Sequence, residues 1–250
     1  MRKTSLHFQR FEFKYYLPRR KADKLVPTLL TRMEWDPYIL GSGRDSYRVR
    51  SLYFDTAGFG CFHDKESGLA DRKKMRLRYY AEALTPDTLV FVEIKRKLDA
   101  LVVKDRIQLT AKACGNGELD SALRTALRAD PQNAFLHELY LFKMRNQLRP
   151  KLLVTYDRKA LVAGRDKRFR VTFDYDITSQ LHADLLQPIG HPRKVFPEGV
   201  VLELKFNNIL PNWFLRIIQN YQLQRIAYSK YSNALRAVVP SLDDNNYKPN

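Results

Sequence analysis

Hydrophobic and charged residues alternate along most of this 250-residue chain, as they do in β-strands whose two faces differ. In residues 72–82 the even positions from Arg72 to Arg78 are all basic, whereas Met75 and Leu77 lie between them. This alternation predicts eight strands along the chain. They lie at residues 8–17, 45–56, 72–82, 88–97, 100–109, 151–162, 168–176 and 200–206.

The period changes from two to about 3.6 after Gly117, which is the spacing of a helix. Leu119 to Leu127 form one predicted helix, and a second runs from Ala134 to Leu148 before Pro150. Two further helices are predicted at residues 211–221 and 229–239, with Ser229 as a cap. The chain therefore combines two runs of strands with a helical insert and C-terminal helices.

Short connections and the absence of linkers predict how these elements are organised. Residues 88–97 and 100–109 are separated by so few residues that a hairpin is expected, and the Gly-Phe-Gly stretch at 58–60 predicts a turn. No stretch rich in Gly, Pro or Ser divides the chain. We expect one domain over residues 1–240 and a frayed tail over residues 241–250.

An α+β fold with an antiparallel eight-stranded β-barrel is the architecture that this pattern favours. The alternative is an ordinary sheet whose charged face is solvated. Alternation cannot decide between them, because it separates two faces without saying which one is buried.

The charge balance points to a polyanionic partner. Lys and Arg number 44 against 27 Asp and Glu, which gives a formal charge of +17, and 44% of the residues are hydrophobic. Such a chain folds around a core and attracts nucleic acid, an anionic membrane surface or a phosphate-rich ligand. The N-terminal residues resemble neither a signal peptide nor a spanning helix, so a cytoplasmic location is expected. Cys61 and Cys114 show no metal-ligand spacing and are expected to be reduced structural thiols.

An acid-x-base tripeptide occurs three times on predicted strands. Its acids are Glu12, Glu93 and Glu203, and a lysine follows each of them by two positions. Residues i and i+2 share a face of a strand, so three carboxylates converge if the strands share a barrel, and Asp174 could join them. Carboxylate oxygens suit a hard divalent ion such as Mg²⁺ or Mn²⁺.

Basic residues dominate the remaining polar positions of these strands. Guanidinium groups bind phosphate oxygens in pairs, and lysines add point charges, so these faces predict a site for a chain of phosphates with a divalent metal. The basic residues on these faces are Lys14, Arg76, Arg78, Lys95, Lys104, Arg106, Arg158, Arg170 and Lys205. No Walker loop, GxGxxG or nucleophile elbow occurs.

As a set, the motifs of this chain resemble the VTC domain, the polyphosphate polymerase domain of vacuolar transporter chaperone complexes and their bacterial relatives. This family lies among the triphosphate tunnel metalloenzymes, which are CYTH-like. The motifs are RFEFKYYL at 10–17, SLYFDT at 51–56, RKKMRLRYY at 72–80, VEIKRK at 92–97, YDRKAL at 156–161, RVTFDYD at 170–176, VLELKF at 201–206 and SKY at 229–231.

The resemblance implies an antiparallel tunnel in which inward basic residues bind a nucleotide triphosphate and inward acids bind Mn²⁺ or Mg²⁺. It implies transfer of the terminal phosphoryl group of ATP to a growing polyphosphate chain. The implied catalytic residues are Lys14, Arg76, Arg78, Lys95, Lys104, Arg158, Arg170 and Lys230. Of these, Arg76, Arg78, Lys95, Arg158 and Arg170 would bind the nucleotide.

The resemblance also assigns the metal and leaves one basic position open. Glu203 would be the principal metal ligand, with Glu93, Glu12 and Asp174 as further candidates. Arg106 could take the role of Lys104, because the hairpin is shorter than the family leads one to expect. The related CYTH triphosphatases tend to begin ExExK, whereas Arg10 stands at the first acid position here, which favours the VTC-like branch.

Two other functions remain open at this point. One is a tunnel-fold triphosphatase acting on a nucleoside triphosphate, tripolyphosphate or thiamine triphosphate, and the other is a non-catalytic polyanion-binding module. Few aromatic residues lie on the charged faces, so no specific nucleic-acid partner is expected. VTC-type domains typically work beside membrane proteins, which implies such a partner at the cytoplasmic face of a membrane.

Overall fold

The computed structural model of the chain describes residues 10–41, 43–98, 101–164, 166–207 and 209–242. The chain forms two compact units, each built from segments that are distant in sequence. The first unit contains residues 1–47, 157–177 and 196–228, and the second contains 48–156, 178–195 and 229–250.

The chain is an α+β protein in which strands and helices follow one another. The strands within the described residues are β1 Arg10–Pro18, β2 Glu34–Trp35, β3 Tyr47–Asp55, β4 Arg72–Tyr79, β5 Leu89–Leu98, β6 Leu101–Thr110, β7 Arg149–Val162, β8 Arg170–Leu181, β9 Arg193–Lys194 and β10 Gly199–Asn207. The helices are α1 Arg19–Leu30, α2 Pro37–Leu40, α3 Gly60–Glu66, α4 Ala111–Cys114, α5 Leu119–Ala129, α6 Ala134–Arg145, α7 Asn212–Asn220 and α8 Lys230–Val238, followed by a 3₁₀ turn at Pro240–Leu242.

In the first unit, β10 pairs antiparallel with β1 on one side and with the start of β8 on the other. The apolar face of these strands, which includes Phe173 and Leu202, is packed with Leu25 and Leu29 of α1 and Phe214 of α7. Leu25 and Leu29 lie one helical turn apart, so α1 presents a continuous apolar side to the sheet. The opposite face carries the charged positions.

In the second unit, β3, β4, β5 and β6 form an antiparallel meander. The predicted hairpin is confirmed, since β5 pairs with β6 from Leu89 opposite Thr110 to Leu98 opposite Leu101. Met75 and Leu77 are fully buried in a core that also contains Leu123 of α5 and other residues of the helical insert. Alternation thus separates an apolar face from a charged face here as well.

The α+β class with extensive antiparallel sheet, a helical insert and C-terminal helices is confirmed. Within the described residues neither unit closes its own strands into a barrel, and the eight-stranded tunnel stays a prediction. The single domain over residues 1–240 also stays a prediction. Most of the predicted tail, residues 243–250, lies outside the described residues.

Four helices were not predicted from the sequence, namely α1, α2, α3 and α4. The basic residues 19–21 begin α1, whose buried positions Ala22, Leu25, Val26 and Leu29 follow a helical period although Pro27 lies within it. The turn expected at 58–60 occurs at residues 57–58, and α3 then starts at Gly60.

Candidate functional site

The predicted site residues divide evenly between the two units. The first unit holds Glu12, Lys14, Arg158, Arg170, Asp174 and Glu203, and the second holds Arg76, Arg78, Glu93, Lys95, Lys104 and Lys230.

In the second unit, one buried carboxylate lies among several cations. Glu93 on β5 is 1% exposed and accepts a hydrogen bond from Arg76 Nε at 2.7 Å. Lys104 Nζ lies 3.3 Å from its other oxygen, and Arg78 lies 4.0 Å away. Because Arg76 on β4 is directly opposite Glu93, the strand register itself brings these charges together. The cluster therefore has one carboxylate for three cations.

Three hydroxyl groups hold the two guanidinium groups of this cluster. Arg76 donates to the Tyr53 hydroxyl at 3.1 Å, and Arg78 donates to Ser51 at 3.1 Å and to Tyr156 at 3.3 Å. Sequence reasoning did not select these hydroxyl residues. Ser51 and Tyr53 alternate within SLYFDT and lie opposite Arg78 and Arg76 in the β3–β4 register. Knowledge of this strand pairing would have identified them as neighbours of the two arginines.

The cation cluster shifts the ionisation of its members. Burial would raise the pKa of Glu93, but Arg76, Arg78 and Lys104 lower it to about 2. Burial would likewise raise the pKa of Tyr53, but Arg76, Arg78 and Lys230 lower it to about 8. Partial burial and the repulsion of Arg76 and Arg78 lower the pKa of Lys104 to about 8 against the attraction of Glu93. The local potential is therefore strongly positive.

Lysines extend the charged face beyond the two arginines. Lys95 lies opposite Lys74 on β4 and Lys104 on β6. Lys74, which was seen on this face but not selected, has a buried Nζ without a hydrogen-bond partner, and burial lowers its pKa to about 8. Of the two alternatives on β6, Lys104 contacts Glu93, whereas the Arg106 guanidinium lies 4.3 Å from the centre of the Phe91 ring.

Lys230 is held at the start of α8 by its neighbours. Its Nζ lies 5.2 Å from the centre of the Tyr156 ring, so it shares Tyr156 with Arg78. The next residue, Tyr231, donates to the fully buried carboxylate of Asp55 at the end of β3. Asp55 also accepts from the backbone N–H groups of Cys61 and Phe62 in α3. One carboxylate thus joins β3, α3 and α8 and fixes the position from which Lys230 projects.

In the first unit, two acid-x-base tripeptides face each other across β1 and β10. Lys14 lies opposite Glu203, and Glu12 lies opposite Lys205. Within each tripeptide the two charges also pair, at 3.0 Å for Lys14 with Glu12 and 2.5 Å for Lys205 with Glu203. Every charge of this square has an opposite charge both along its strand and across the ladder. Lys14 Nζ additionally donates to the Tyr228 carbonyl at 3.0 Å.

The remaining predicted site residues of the first unit are also paired. Arg158 binds Asp174, which is fully buried, through two hydrogen bonds of 2.6 and 2.9 Å, and Arg170 lies 2.8 Å from Asp36. Thr172 lies between Arg170 and Asp174 on β8 and directly opposite Glu203. Its hydroxyl is buried and has no hydrogen-bond partner. This orphaned oxygen beside Glu203 was not identified from the sequence.

The donor set of the first unit suits a hard cation bound in part by its substrate. Within the described ranges no three or more His, Cys, Asp or Glu residues are grouped closely enough to hold a metal by themselves. Glu203, with the unpartnered Thr172 oxygen opposite it, offers oxygen ligands of the type that Mg²⁺ and Mn²⁺ prefer. Mg²⁺ is commonly bound through one or two carboxylates together with water and substrate phosphates. The residues present therefore fit such an ion.

Several charged residues of both faces are withdrawn from solvent, although others, such as Lys104, are exposed. Arg78, Glu93, Asp174, Glu203 and Lys230 are all buried. Ion pairs at such positions are costly to bury unless they are well paired and hydrogen-bonded.

The cysteines contribute no chemistry to this site. Cys61 and Cys114 are both buried and free, and burial raises the pKa of each thiol to about 12. Such thiols are inert as nucleophiles, in agreement with the structural role expected from the sequence.

Comparison with known families identifies the chain. Residues 9–239 match the family described as the VTC domain, which is nearly the whole sequence. The chain belongs to the VTC domain family. The resemblance seen in its motifs is thereby confirmed. A comparison with curated proteins gives no match.

Three solved structures resemble this VTC domain at low sequence identity. A candidate adenylate cyclase from Bacillus halodurans is 16% identical with a TM-score of 0.49, covering 88% of this chain and 94% of its own. A candidate adenylyl cyclase from Hippeastrum, described as having a dominant triphosphatase activity, is 10% identical with a TM-score of 0.48, covering 91% and 97%. A candidate adenylate cyclase from Vibrio parahaemolyticus is 13% identical with a TM-score of 0.44, covering 90% and 97%. At these scores they stand as similarities alone.

No helix among the described residues is both long enough and apolar enough to cross a membrane.

Proposed function

We propose that this VTC domain is a metal-dependent polyphosphate polymerase. It would transfer the terminal phosphoryl group of ATP to a growing chain of inorganic polyphosphate, releasing ADP. Family membership over residues 9–239 supports a tunnel-fold enzyme that acts on triphosphates, and the polymerase reaction is the finer proposal.

The observation that carries the proposal is the imbalance of charge around Glu93. One buried carboxylate lies with Arg76, Arg78 and Lys104, and the Tyr53 and Tyr156 hydroxyls hold the guanidinium groups in place. A triphosphate carries several negative charges, and preorganised cations are what phosphoryl transfer mainly requires. This cluster is suited to bind the phosphates of ATP.

The proposed reaction needs no protein nucleophile. A terminal oxygen of the polyphosphate chain is already ionised, and it would form a bond to the γ-phosphorus of ATP while the bond from that phosphorus to the β–γ bridging oxygen breaks. The electron pair remains on that oxygen, so ADP leaves and the polymer grows by one phosphate. Arg76, Arg78, Lys95, Lys104 and Lys230 would bind phosphate oxygens and neutralise the charge of the transition state.

The other proposed phosphate-binding residues and metal ligands lie in the first unit, except for Glu93 in the second. Lys14, Arg158 and Arg170 are the proposed phosphate-binding residues, and Glu203 is the proposed principal ligand for Mn²⁺ or Mg²⁺, with Glu12, Asp174 and Glu93 as further candidates. A bound divalent ion would neutralise phosphate charge. Arg10, at the position where the CYTH triphosphatases tend to carry their first acid, supports a polymerase over a hydrolase.

The partners and location follow from the family alone. We propose ATP and polyphosphate as substrates, and a membrane protein as a partner at the cytoplasmic face of a membrane. Co-purification from detergent-solubilised membranes tests the membrane partner. Use of the Glu203→Gln variant as bait makes this test independent of activity.

Incubation of the purified chain with ATP and Mn²⁺ tests the reaction, with gel analysis of polymer and separate assays of ADP and orthophosphate. A polymerase yields long polyphosphate with one ADP for each phosphate incorporated, and a chelator abolishes the product. Orthophosphate without polymer would establish the triphosphatase instead. Binding of polyphosphate without turnover under any metal would establish a non-catalytic module.

A further inference from the structure

A cationic cavity lies in the second unit and involves none of the predicted site residues. It is open to solvent, has a volume of about 470 Å³ and is lined by Arg145, Asn146, Gln147, Arg149 and Lys151 and by the Thr56–Gly58 turn. Arg145 and Arg149 are exposed. No carboxylate is among its lining residues in the described part of the chain.

The turn between α6 and β7 forms one wall and is rigid. After α6 ends at Arg145, the Leu148 N–H donates to the Lys143 carbonyl at 2.9 Å and the Gln147 N–H to the Met144 carbonyl at 3.1 Å. These two bonds form a Schellman motif, which places Gln147 in the left-handed region at φ 49°. Because the turn reverses the chain tightly, it holds Arg145 beside the first residues of β7.

The opposite wall is equally well fixed. The Thr56 N–H donates to the buried Asp55 carboxylate at 2.7 Å, and the Thr56 hydroxyl accepts from the Gly60 N–H at 2.8 Å. Phe59 occupies the left-handed region at φ 57°, which is unusual for a bulky residue, and Lys151 Nζ lies 5.6 Å from the centre of its ring. Two such backbone conformations therefore flank one cavity, and conformations of this kind tend to occur at functional sites.

The three cations of this cavity differ from other charged residues of the same unit. Arg96 pairs with Asp105 and Glu138, and Arg236 pairs with Glu66. By contrast, none of Arg145, Arg149 and Lys151 has an ion pair with a carboxylate among the described residues. Arg149 and Lys151 share a face at the start of β7, so like charges are held close together without compensation. A cavity of this kind attracts anions.

We propose that this cavity binds a short inorganic phosphate chain of about two or three phosphates, as a site separate from the residues proposed for catalysis. Guanidinium groups bind phosphate oxygens in pairs, the lysine adds a point charge, and no carboxylate among the described lining residues repels an anion. The proposal goes beyond the catalytic function and holds whether or not the chain polymerises phosphate.

Calorimetric titration of the whole chain with inorganic tripolyphosphate tests this site. The variant Arg145→Gln/Arg149→Gln/Lys151→Gln removes its charge, and Lys112→Gln/Arg124→Gln/Arg128→Gln removes the same charge from exposed positions elsewhere in the unit. We expect the first variant to lose one binding event, or to weaken it at least tenfold, and the control to retain it. If the catalytic cluster also binds, wild type shows two events, of which Arg76→Gln removes the other.

Each remaining outcome counts against the site. An unchanged titration of the cavity variant, or an equal loss in the control, would overturn it. So would binding confined to phosphoinositide-containing phosphatidylcholine vesicles without any effect on tripolyphosphate. If the variants do not fold, lysine acylation of wild type decides: tripolyphosphate should protect Lys151 but not Lys112, and equal labelling of Lys151 with and without it would refute the proposal.

Discussion

The charged faces of the two units are built on different principles. In the first unit four described cations are each matched by an acid: Lys14 and Lys205 by Glu12 and Glu203, Arg158 by Asp174, and Arg170 by Asp36. In the second unit Glu93 alone lies with Arg76, Arg78 and Lys104. The first face is balanced, whereas the second has a cationic excess.

Under the proposed function, this difference would divide metal binding and phosphate binding between the two faces. A balanced face can release a carboxylate to a divalent ion and keep the freed cation for a phosphate, whereas a cationic face is ready for an anion without rearrangement. The net charge of +17 says nothing of this division, because it sums both faces with the exposed surface. Substitutions at Glu203 or at Arg76 change the charge of one face and leave the other face unchanged.

Glu203→Gln should have the largest effect, because it removes the proposed principal metal ligand while preserving shape. We expect metal-dependent turnover to fall below detection, with little change in melting temperature. The exposed pair of Arg168 with Asp166 supplies the control, and Asp166→Asn should leave the rate unchanged. A wild-type rate in Glu203→Gln would refute the assignment.

Arg76→Gln should reduce kcat/KM for ATP by about 100-fold or more, since a preorganised donor to a developing charge is commonly worth that much. Glu93 keeps Arg78 and Lys104 as partners, so the fold should survive. Arg76→Lys should recover only part of the activity, because an ammonium group lacks the forked geometry. Steady-state kinetics over a range of ATP concentrations measures both, and full activity in Arg76→Gln would exclude the cluster from the reaction.

The second unit should lose affinity for ATP in mildly alkaline solution. Tyr53 gains a negative charge and Lys104 loses a positive charge as pH rises through their pKa values of about 8, so both changes reduce the cationic excess. We expect KM for ATP to rise severalfold between about pH 7 and 9. The Tyr53→Phe/Lys104→Arg variant should show a flatter profile, because neither new side chain titrates there. An identical profile in the variant would assign the change to other groups.

The smallest expected effects concern the stability contributed by two buried hydroxyl groups, those of Ser51 and Thr172. Ser51→Ala leaves Arg78 Nε without its partner and should cost about 1–3 kcal/mol of unfolding free energy. Thr172→Val removes a hydroxyl that has no partner, so its effect should stay within about 0.5 kcal/mol. Chemical denaturation measures both, and a large loss for Thr172→Val would mean that its hydroxyl is engaged in the folded chain.

The strands were predictable because their period is local. The segment expected at 151–162 forms β7 at Arg149–Val162, and the segment at 200–206 forms β10 at Gly199–Asn207. The apolar positions of β4, such as Met75 and Leu77, are buried as their alternation indicated. Helix α1 was missed although its buried residues are helically spaced, since Pro27 and a basic start obscure that spacing.

For the charged residues, the sequence predicted which residues share a strand face but not which residues from other elements contact them. Alternation placed Arg76 and Arg78 together, but Tyr156, which is 78 residues from Arg78, joins them through the fold. The contact of Lys230 with Tyr156 likewise depends on α8, and only the family resemblance had suggested a role for this lysine. The burial of several charged residues could not be derived either, because it depends on what packs over them.

The buried Asp55 carboxylate has a consequence for the order in which the protein can be completed during synthesis. Its backbone partners Cys61 and Phe62 follow within seven residues, but Tyr231, which also donates to it, is translated 176 residues later. The nascent chain therefore carries this acidic group long before the hydroxyl that completes its contacts exists. Each unit is assembled from segments that alternate with those of the other unit along the chain. The last segment of the first unit ends at residue 228, and that of the second unit begins at residue 229. Lys230, which precedes Tyr231 in the SKY motif, can therefore take its position beside Tyr156 only after residues 229–231 have emerged from the ribosome.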